Sequence, residues 1–313
     1  MTIFNRIRGL LPGQKSEPRL VRIVTDSTAD LPAELIADLD ITVVPLQVLF
    51  GTESFRDGVD LTAEEFFERL PQEEELPTTS QPSVGEFQQT YQALAEVTDR
   101  VLSVHLSAGF SGTVNAAQQA VSTLAEECEI EVIDSGTVSM AMGFAVIAAA
   151  RAARNGADLD TCTRIARSVL GRQRLAVALD TLEYLRRGGR IGRAAGFLGS
   201  LLRLKPILTI KDGQASPLSR VRTRKKALDE LLRVCLEPGD IEEAIVMYTT
   251  DPSDATYLTD AIRERHPDIP IHEGRIGPVI GVHAGPGLIG LAVVLAERPA
   301  PEANSEANSE DTP

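Results

Sequence analysis

The sequence predicts an α/β protein of two domains. The first is a Rossmann-like, parallel-sheet domain over residues 20–157, and the second is an α/β domain with a mixed sheet over 158–297. Three observations predict it. Strand-like apolar runs alternate with helical patterns through the first half, as in a parallel sheet with helical crossovers. The second half carries an Asp212-Gly213 hairpin signal among its strands and helices, which adds antiparallel pairing. A chain of 313 residues, 43% of them hydrophobic, also favours two cores over one.

The elements follow in order. Strands are expected near 20–25, 42–50, 101–106 and 130–134. The first runs into Asp26-Ser27-Thr28 and a helix capped by Asp30. Thr62-Ala63-Glu64-Glu65 has the spacing of a capping box, and Ser83 with Glu86 repeats it. Phe87, Tyr91 and Leu94 then fall on one buried helical face. Val101–Leu106 alternates like a strand, continues into Ser107-Ala108-Gly109-Phe110-Ser111-Gly112-Thr113, and is followed by a helix over Val114–Glu127. Met140–Arg154 reads as an apolar, alanine-rich helix ended by Asn155-Gly156. Beyond it come a helix from Thr161, a strand over Leu175–Leu179 and a glycine-rich basic segment. A hairpin pairs Ile207–Lys211 with Ala215–Val221. Helix 224–236, strand 243–249, helix 253–265 and two last strands around Val279 and Leu291 complete the second half.

The two ends stand apart. Residues 1–19 read as an extension in which Ile3, Phe4, Ile7, Leu10 and Leu11 lie among Arg6 and Arg8. A short amphipathic helix making transient contact with a membrane surface competes there with a loose tail. Residues 298–313 repeat Glu-Ala-Asn-Ser and read as a disordered acidic tail.

The net charge of −14 argues against nucleic acid, whose phosphates it would repel. No apolar run approaches the ~20 residues of a membrane span, and the N-terminus has no signal-peptide pattern, so a cytoplasmic location is expected. Cys128, Cys162 and Cys235 are far apart and odd in number, and the four histidines form no ligand spacing with them. Neither a disulfide framework, a metal site nor a cofactor is expected.

What remains is a pattern of hydroxyls. Pro77-Thr78-Thr79-Ser80-Gln81-Pro82-Ser83 precedes one helix, Ser107–Thr113 precedes another, and Asp26-Ser27-Thr28 a third. A helix N-terminus offers unpaired N–H groups and partial positive charge, so hydroxyls in front of it can hold an anion without a cation. Read blandly, they are caps and turns. Loops at the carboxyl ends of strands in an open α/β sheet share one crevice, however, and three such loops imply a site.

The same residues resemble the DegV family, bacterial proteins that bind fatty acids. The resemblance runs from about residue 20 to 295. It rests on Val24–Pro32, Pro77–Ser83, Phe110–Thr113, Val132–Ser135, Thr181–Gly192, Lys205–Leu208, Arg222–Lys226 and Gly277–Gly287. It implies a long-chain fatty acid whose carboxylate meets Thr79 and Ser111, with Thr78, Ser80 and the Gly112 N–H nearby and Ser27 behind them. It implies a tail pocket between the domains or an apolar tunnel between helices of the second domain, and it places the glycine-flanked His283 near the head group. It also implies a partner, a separate dihydroxyacetone-kinase-like fatty acid kinase that makes an acyl phosphate, and so a carrier rather than an enzyme. Arg187, Arg190, Arg222 and Arg224 are candidates for docking that partner or the new phosphate. The rival reading is a serine hydrolase or acyltransferase using Ser111, Asp251 and His283 in α/β-hydrolase order. Against it, Gly109-Phe110-Ser111-Gly112-Thr113 ends in Thr where a nucleophile elbow requires Gly.

Overall fold

The structure is a computed structural model that describes residues 20–122, 128–200, 204–237 and 239–297. The extension expected over residues 1–19, the acidic tail expected over 298–313 and the end of the helix expected to reach Glu127 lie outside these. Among the described residues no helix is long and apolar enough to cross a membrane.

Three sheets make up the α/β fold. Four parallel strands run in the order Thr42–Val44, Arg22–Asp26, Arg100–His105, Glu129–Asp134. Six strands form a mixed sheet in the order Gln214–Val221, Lys205–Lys211, Gln173–Ala178, Ile289–Leu295, Ile241–Tyr248, Ile271–Arg275, and only the last pair is parallel. The predicted hairpin is there: Asp212 and Gly213 both take positive φ, 50° and 71°, as a type I′ turn between twisted strands requires.

The third sheet was not expected. The apolar stretch 42–50 breaks at Pro45-Leu46, and Gln47–Phe50 pairs antiparallel with Glu53–Arg56 on one side and Thr78–Ser80 on the other. Proline has no N–H to continue the parallel ladder. The hydroxyl-rich run ahead of the Val84–Ala95 helix is therefore an edge strand, with Thr79 facing Val48 in register. Both capping boxes form as the spacing predicts, at Thr62/Glu65 and Ser83/Glu86. Asp30 is not a helix cap. It sits at φ 50°, closing a short turn of 3-10 helix, and the next helix, Ala33–Asp38, starts behind Pro32.

The Met140–Arg154 helix explains how the sheets meet. Its first turns, Met140–Ile147, are apolar on every side and have to be buried on every side. The helix packs against the parallel sheet through Arg22–Asp26 and against the mixed sheet through Gln173–Ala178 and Ile289–Leu295. The far face of the mixed sheet is covered by helices Arg224–Leu236 and Ser253–Arg265, which bury Ala176, Ala178, Leu291 and Val293. Alternate residues of the same strands, Leu175, Val177, Gly290 and Met247, are left for the near face.

The segment around Val279, expected as a strand, is a helix over Pro278–Ala284. Its β-branched residues suggest extended backbone, but Pro278 at the first turn favours helix entry. Tertiary contact also fits the helix. Val279 and Val282 join Phe66, Phe67 and Leu46 in a core under the small sheet. Gly281 lies so close to Phe66 and Phe67 that a Cβ would fall 2.7 Å from one ring and 2.8 Å from the other.

Candidate functional site

The crevice outside the carboxyl ends of the parallel strands opens into a cavity of about 320 Å³ against the near face of the mixed sheet. Its floor is a cross-strand rung. Leu208 faces Val177, Val177 faces Gly290, and Gly290 faces Met247, and all four line the cavity. Leu106, Phe110 and Val138 enter from the loops after two parallel strands, and Ile280 from the late helix. The wall is thus strands, loops and the Pro278–Ala284 helix at the junction of the sheets. Of the two placements the resemblance implied, a tail pocket between the domains and a tunnel between helices of the second, the cavity does not match the second.

Polar groups gather at one part of this apolar wall: Thr79, Ser80, Gln81, Ser111, Arg190 and His283. The Thr79 Oγ1 and His283 Nε2 atoms lie 2.9 Å apart, and the Ser111 hydroxyl is 2.9 Å from that of Thr113. The His283 Nδ1 atom is buried without a partner among the described residues, and a Cβ on Gly188 would overlap it. Burial and then the neighbouring Arg190 charge push the His283 imidazole down to about 4, so it is neutral at physiological pH. Arg190 donates from Nε to the Phe110 carbonyl at 3.1 Å and from Nη1 to the Gly188 carbonyl at 2.7 Å. Two of five donors are used, and the guanidinium is held at the cavity.

The sequence-predicted residues therefore divide. Thr79, Ser80, Ser111 and His283 come together. Thr78 is exposed and does not line the cavity. Gly112 is the N-cap of helix Thr113–Val121, and its α-carbon lies against the Gln81 side chain rather than the cavity. Ser27 stays behind the site, where its hydroxyl accepts from the backbone N–H of Leu46, a lining residue. Among the docking arginines, Arg190 is a cavity residue. Arg224 is tied to Asp254 and the Gly287 carbonyl, which leaves it a structural part. Arg187 is paired with Glu183 on the surface, and Arg222 is exposed. Gln81 and Ser139 were missed; Gln81 lay within the hydroxyl run, whereas nothing local marks Ser139.

The hydrolase constellation is not assembled. Ser111 pairs with Thr113, His283 with Thr79, and Asp251 accepts from the Ser253 backbone N–H. A Ser-His-Asp chain does exist elsewhere. Ser103 Oγ lies 2.7 Å from His105 Nε2, whose Nδ1 is 2.9 Å from Asp26. All three are fully buried, and the Tyr91 hydroxyl donates to Ser103. Asp26 also accepts from the Leu106 N–H at 3.0 Å, so this network fixes the loop that presents Phe110 and Ser111 and offers no substrate access.

Gly285 ends the His283 helix at φ 73°, ψ −178°, a region open essentially to glycine alone. A side chain there would also overlap the Tyr184 ring. Gly285→Ala is expected to destabilise the fold by about 1–3 kcal/mol through strain and crowding, read from urea unfolding midpoints.

Known proteins share this architecture. A DegV domain-containing protein of Streptomyces coelicolor is 38% identical over 279 residues, 88% of this chain and 98% of that protein. The solved structure of a DegV family protein from Thermus thermophilus, reported for fatty acid binding, matches with a TM-score of 0.82 at 33% identity. It covers 88% of this chain and 100% of that one. The crystal structure of DegV from Bacillus subtilis, described as a fatty acid binding protein, gives a TM-score of 0.82 at 33% identity over 89% and 100% of the two chains. The family model described as "Uncharacterised protein, DegV family" matches residues 20–296. By that match, and by the identity to its relatives over nearly their whole length, the chain belongs to the DegV family.

Proposed function

We propose that this protein binds one long-chain fatty acid, with the acyl tail in the apolar cavity and the carboxylate at Thr79, Ser111, Ser80, His283 and Arg190. We propose further that it presents the acid to a separate, dihydroxyacetone-kinase-like fatty acid kinase for acyl phosphate formation. The observation that carries the reading is a largely apolar cavity whose wall includes the Thr79–His283 pair together with Ser111 and Arg190. Each buried methylene contributes about 0.8 kcal/mol, so roughly sixteen carbons supply on the order of 10 kcal/mol before ordering costs. The head group needs the reverse treatment, because a carboxylate leaving water costs several kcal/mol unless hydrogen-bonded.

The geometry suits that need. Neutral His283 can donate from Nε2 to Thr79 Oγ1, which turns the Thr79 proton toward the carboxylate; Nδ1 is then only an unused acceptor. Arg190 adds a charge-assisted donor at the same place. The head group lies beside the exposed Ser80 and Gln81, where a kinase could reach it, and the sequence has no phosphate-binding loop of its own. Fatty acid binding in the Thermus and Bacillus relatives supports the first half of the reading. The second half rests on the family resemblance and on Arg187 and Arg222 remaining at the surface.

Native mass spectrometry of the purified chain, followed by solvent extraction, tests it. A stoichiometric adduct of a long-chain fatty acid is expected. A bare chain that also fails to take up added palmitate would overturn the reading.

A further inference from the structure

We propose that Asp30 and Asp57 form a two-carboxyl clamp that positions the helix carrying His283, so that acyl retention depends on how the clamp is charged. The inference rests on the fatty-acid reading for its ligand, but the clamp itself is a feature of the fold. The Asp30 Oδ1 atom accepts from the Gly277 N–H at 3.0 Å, and its Oδ2 is hydrogen-bonded with the Ser139 hydroxyl at 2.6 Å, the acid donating when Asp30 is protonated and the hydroxyl when it is ionised. Asp57 stands beside the same turn, where the Val279 N–H and the Ser27 hydroxyl act to lower its carboxyl against burial. One carboxyl from the first half of the chain therefore holds the amide of Gly277, the N-cap of helix Pro278–Ala284, and a second adjoins it. The fit is close: a Cβ on Gly277 would lie 2.9 Å from Asp30 Oδ1 and 3.4 Å from Asp57 Oδ1.

The clamp's contacts reach the cavity wall. Val279, Ile280, His283 and Ala284 of the helix line it, as does Ser139. Asp30 and Ser139 both stand at positive φ, 50° and 58°, conformations that persist where the surroundings impose them and that gather at functional sites. Asp30 thus joins two walls, the helix bearing His283 and the start of helix Met140–Arg154.

The clamp cannot hold two charges cheaply, because enclosed carboxyls that face each other resist joint ionisation. Burial pushes Asp30 up to about 8, with the Asp57 and Asp26 charges adding to it, and burial pushes Asp57 up to about 6. The remaining charged groups at this groove are Glu273 and Arg275 of the neighbouring strand. Glu273 accepts from Thr259, and Arg275 donates to the Thr249 carbonyl. Near neutral pH Asp57 is ionised and Asp30 keeps its proton. Because the Asp30 value is raised above its unfolded one, its contribution is fully present in acid and is lost as pH rises through about 8. Over that range His283 stays neutral, while the arginines and the ligand carboxylate stay charged.

The experiment measures palmitate affinity and hydrogen exchange of the Gly277 and Val279 amides, the latter corrected for intrinsic rates. It compares about pH 7 with about pH 9 for the full chain, Asp30→Asn and Asp30→Ala. Wild-type affinity is expected to fall roughly five-fold or more toward the higher pH, with faster exchange at both amides. Asp30→Asn, which accepts from Gly277 and meets Ser139 as the protonated acid does, is expected to keep the neutral-pH affinity and lose the pH dependence. Asp30→Ala is expected to bind weakly at both. A wild-type profile that is flat, or an Asn variant that falls with pH as the wild type does, overturns the proposal. If palmitate does not bind at all, the fatty-acid reading fails, and exchange in the ligand-free proteins still decides on the clamp.

Discussion

Gly290→Leu is expected to weaken long-chain fatty acid binding by about 3 kcal/mol, more than a hundred-fold, while leaving the chain folded. The rung Leu208–Val177–Gly290–Met247 crosses the cavity floor, and Gly290 is its one residue without a side chain. Strand alternation sends a Cβ at 290 into the cavity, because Ile289 and Leu291 on either side are buried with the outer helices. Even the first carbon would lie 3.0 Å from Val177 Cγ1, so Val177 must give way and the rest of the side chain stands where the tail would lie. Excluding about four methylenes at about 0.8 kcal/mol each gives the figure. Glycine is a poor strand residue, so leucine is not expected to weaken the sheet itself. Titration with palmitate and with shorter acids should show affinity shifting toward the shorter ones. Undiminished palmitate binding by a folded variant would mean that the tail lies elsewhere.

The fold class was legible because its signals are local. The capping boxes at Thr62 and Ser83, the Asp212-Gly213 turn and the apolar, alanine-rich Met140–Arg154 helix need only neighbours within a few residues. The misread elements are those whose partners are remote. Pro278–Ala284 is β-branched by composition and helical beside Phe66 and Phe67, some two hundred positions away. Thr78–Ser80 is a strand because Gln47–Phe50 lies alongside.

The site followed the same division. Hydroxyls before helices pointed to the loops of Thr79 and Ser111, whereas His283 between its glycines reads as structural until the family resemblance places it at the head group. Arg190 carried a signal too, in its glycine-rich segment, but nothing in the sequence says that this segment folds back on the Phe110 carbonyl. A site read as hydroxyls, a backbone N–H and His283 therefore gains a cation, Arg190, from a segment read as a docking rim. That sets the electrostatics expected for a bound carboxylate: beside a neutral histidine, the Arg190 guanidinium would supply the positive charge.

The two hydroxyls should not be equivalent for that reason. Thr79→Ala and Ser111→Ala are each expected to weaken palmitate binding by about 1–3 kcal/mol by leaving a buried carboxylate short of a donor. Thr79→Ala should lie at the upper end. It also removes the partner of His283 Nε2, and the Nδ1 of the same ring already has none. The imidazole would then be buried with both nitrogens unsatisfied, free to turn away from the head group. Ser111→Ala strands only the Thr113 hydroxyl, which can rotate toward another acceptor. Thr79→Ser restores the hydroxyl and should recover most of the affinity, whereas Thr79→Val keeps the shape and should not. Because the imidazole is held down to about 4, His283 itself should give these affinities no step near the ordinary histidine range of about 6.5. A step there that survives His283→Gln belongs to Asp57, which burial pushes up to about 6. Equal affinity of Thr79→Ala and wild type would place the carboxylate away from the Thr79–His283 pair, and a step near that pH that His283→Gln abolishes would mean the ring carries a proton when the ligand binds.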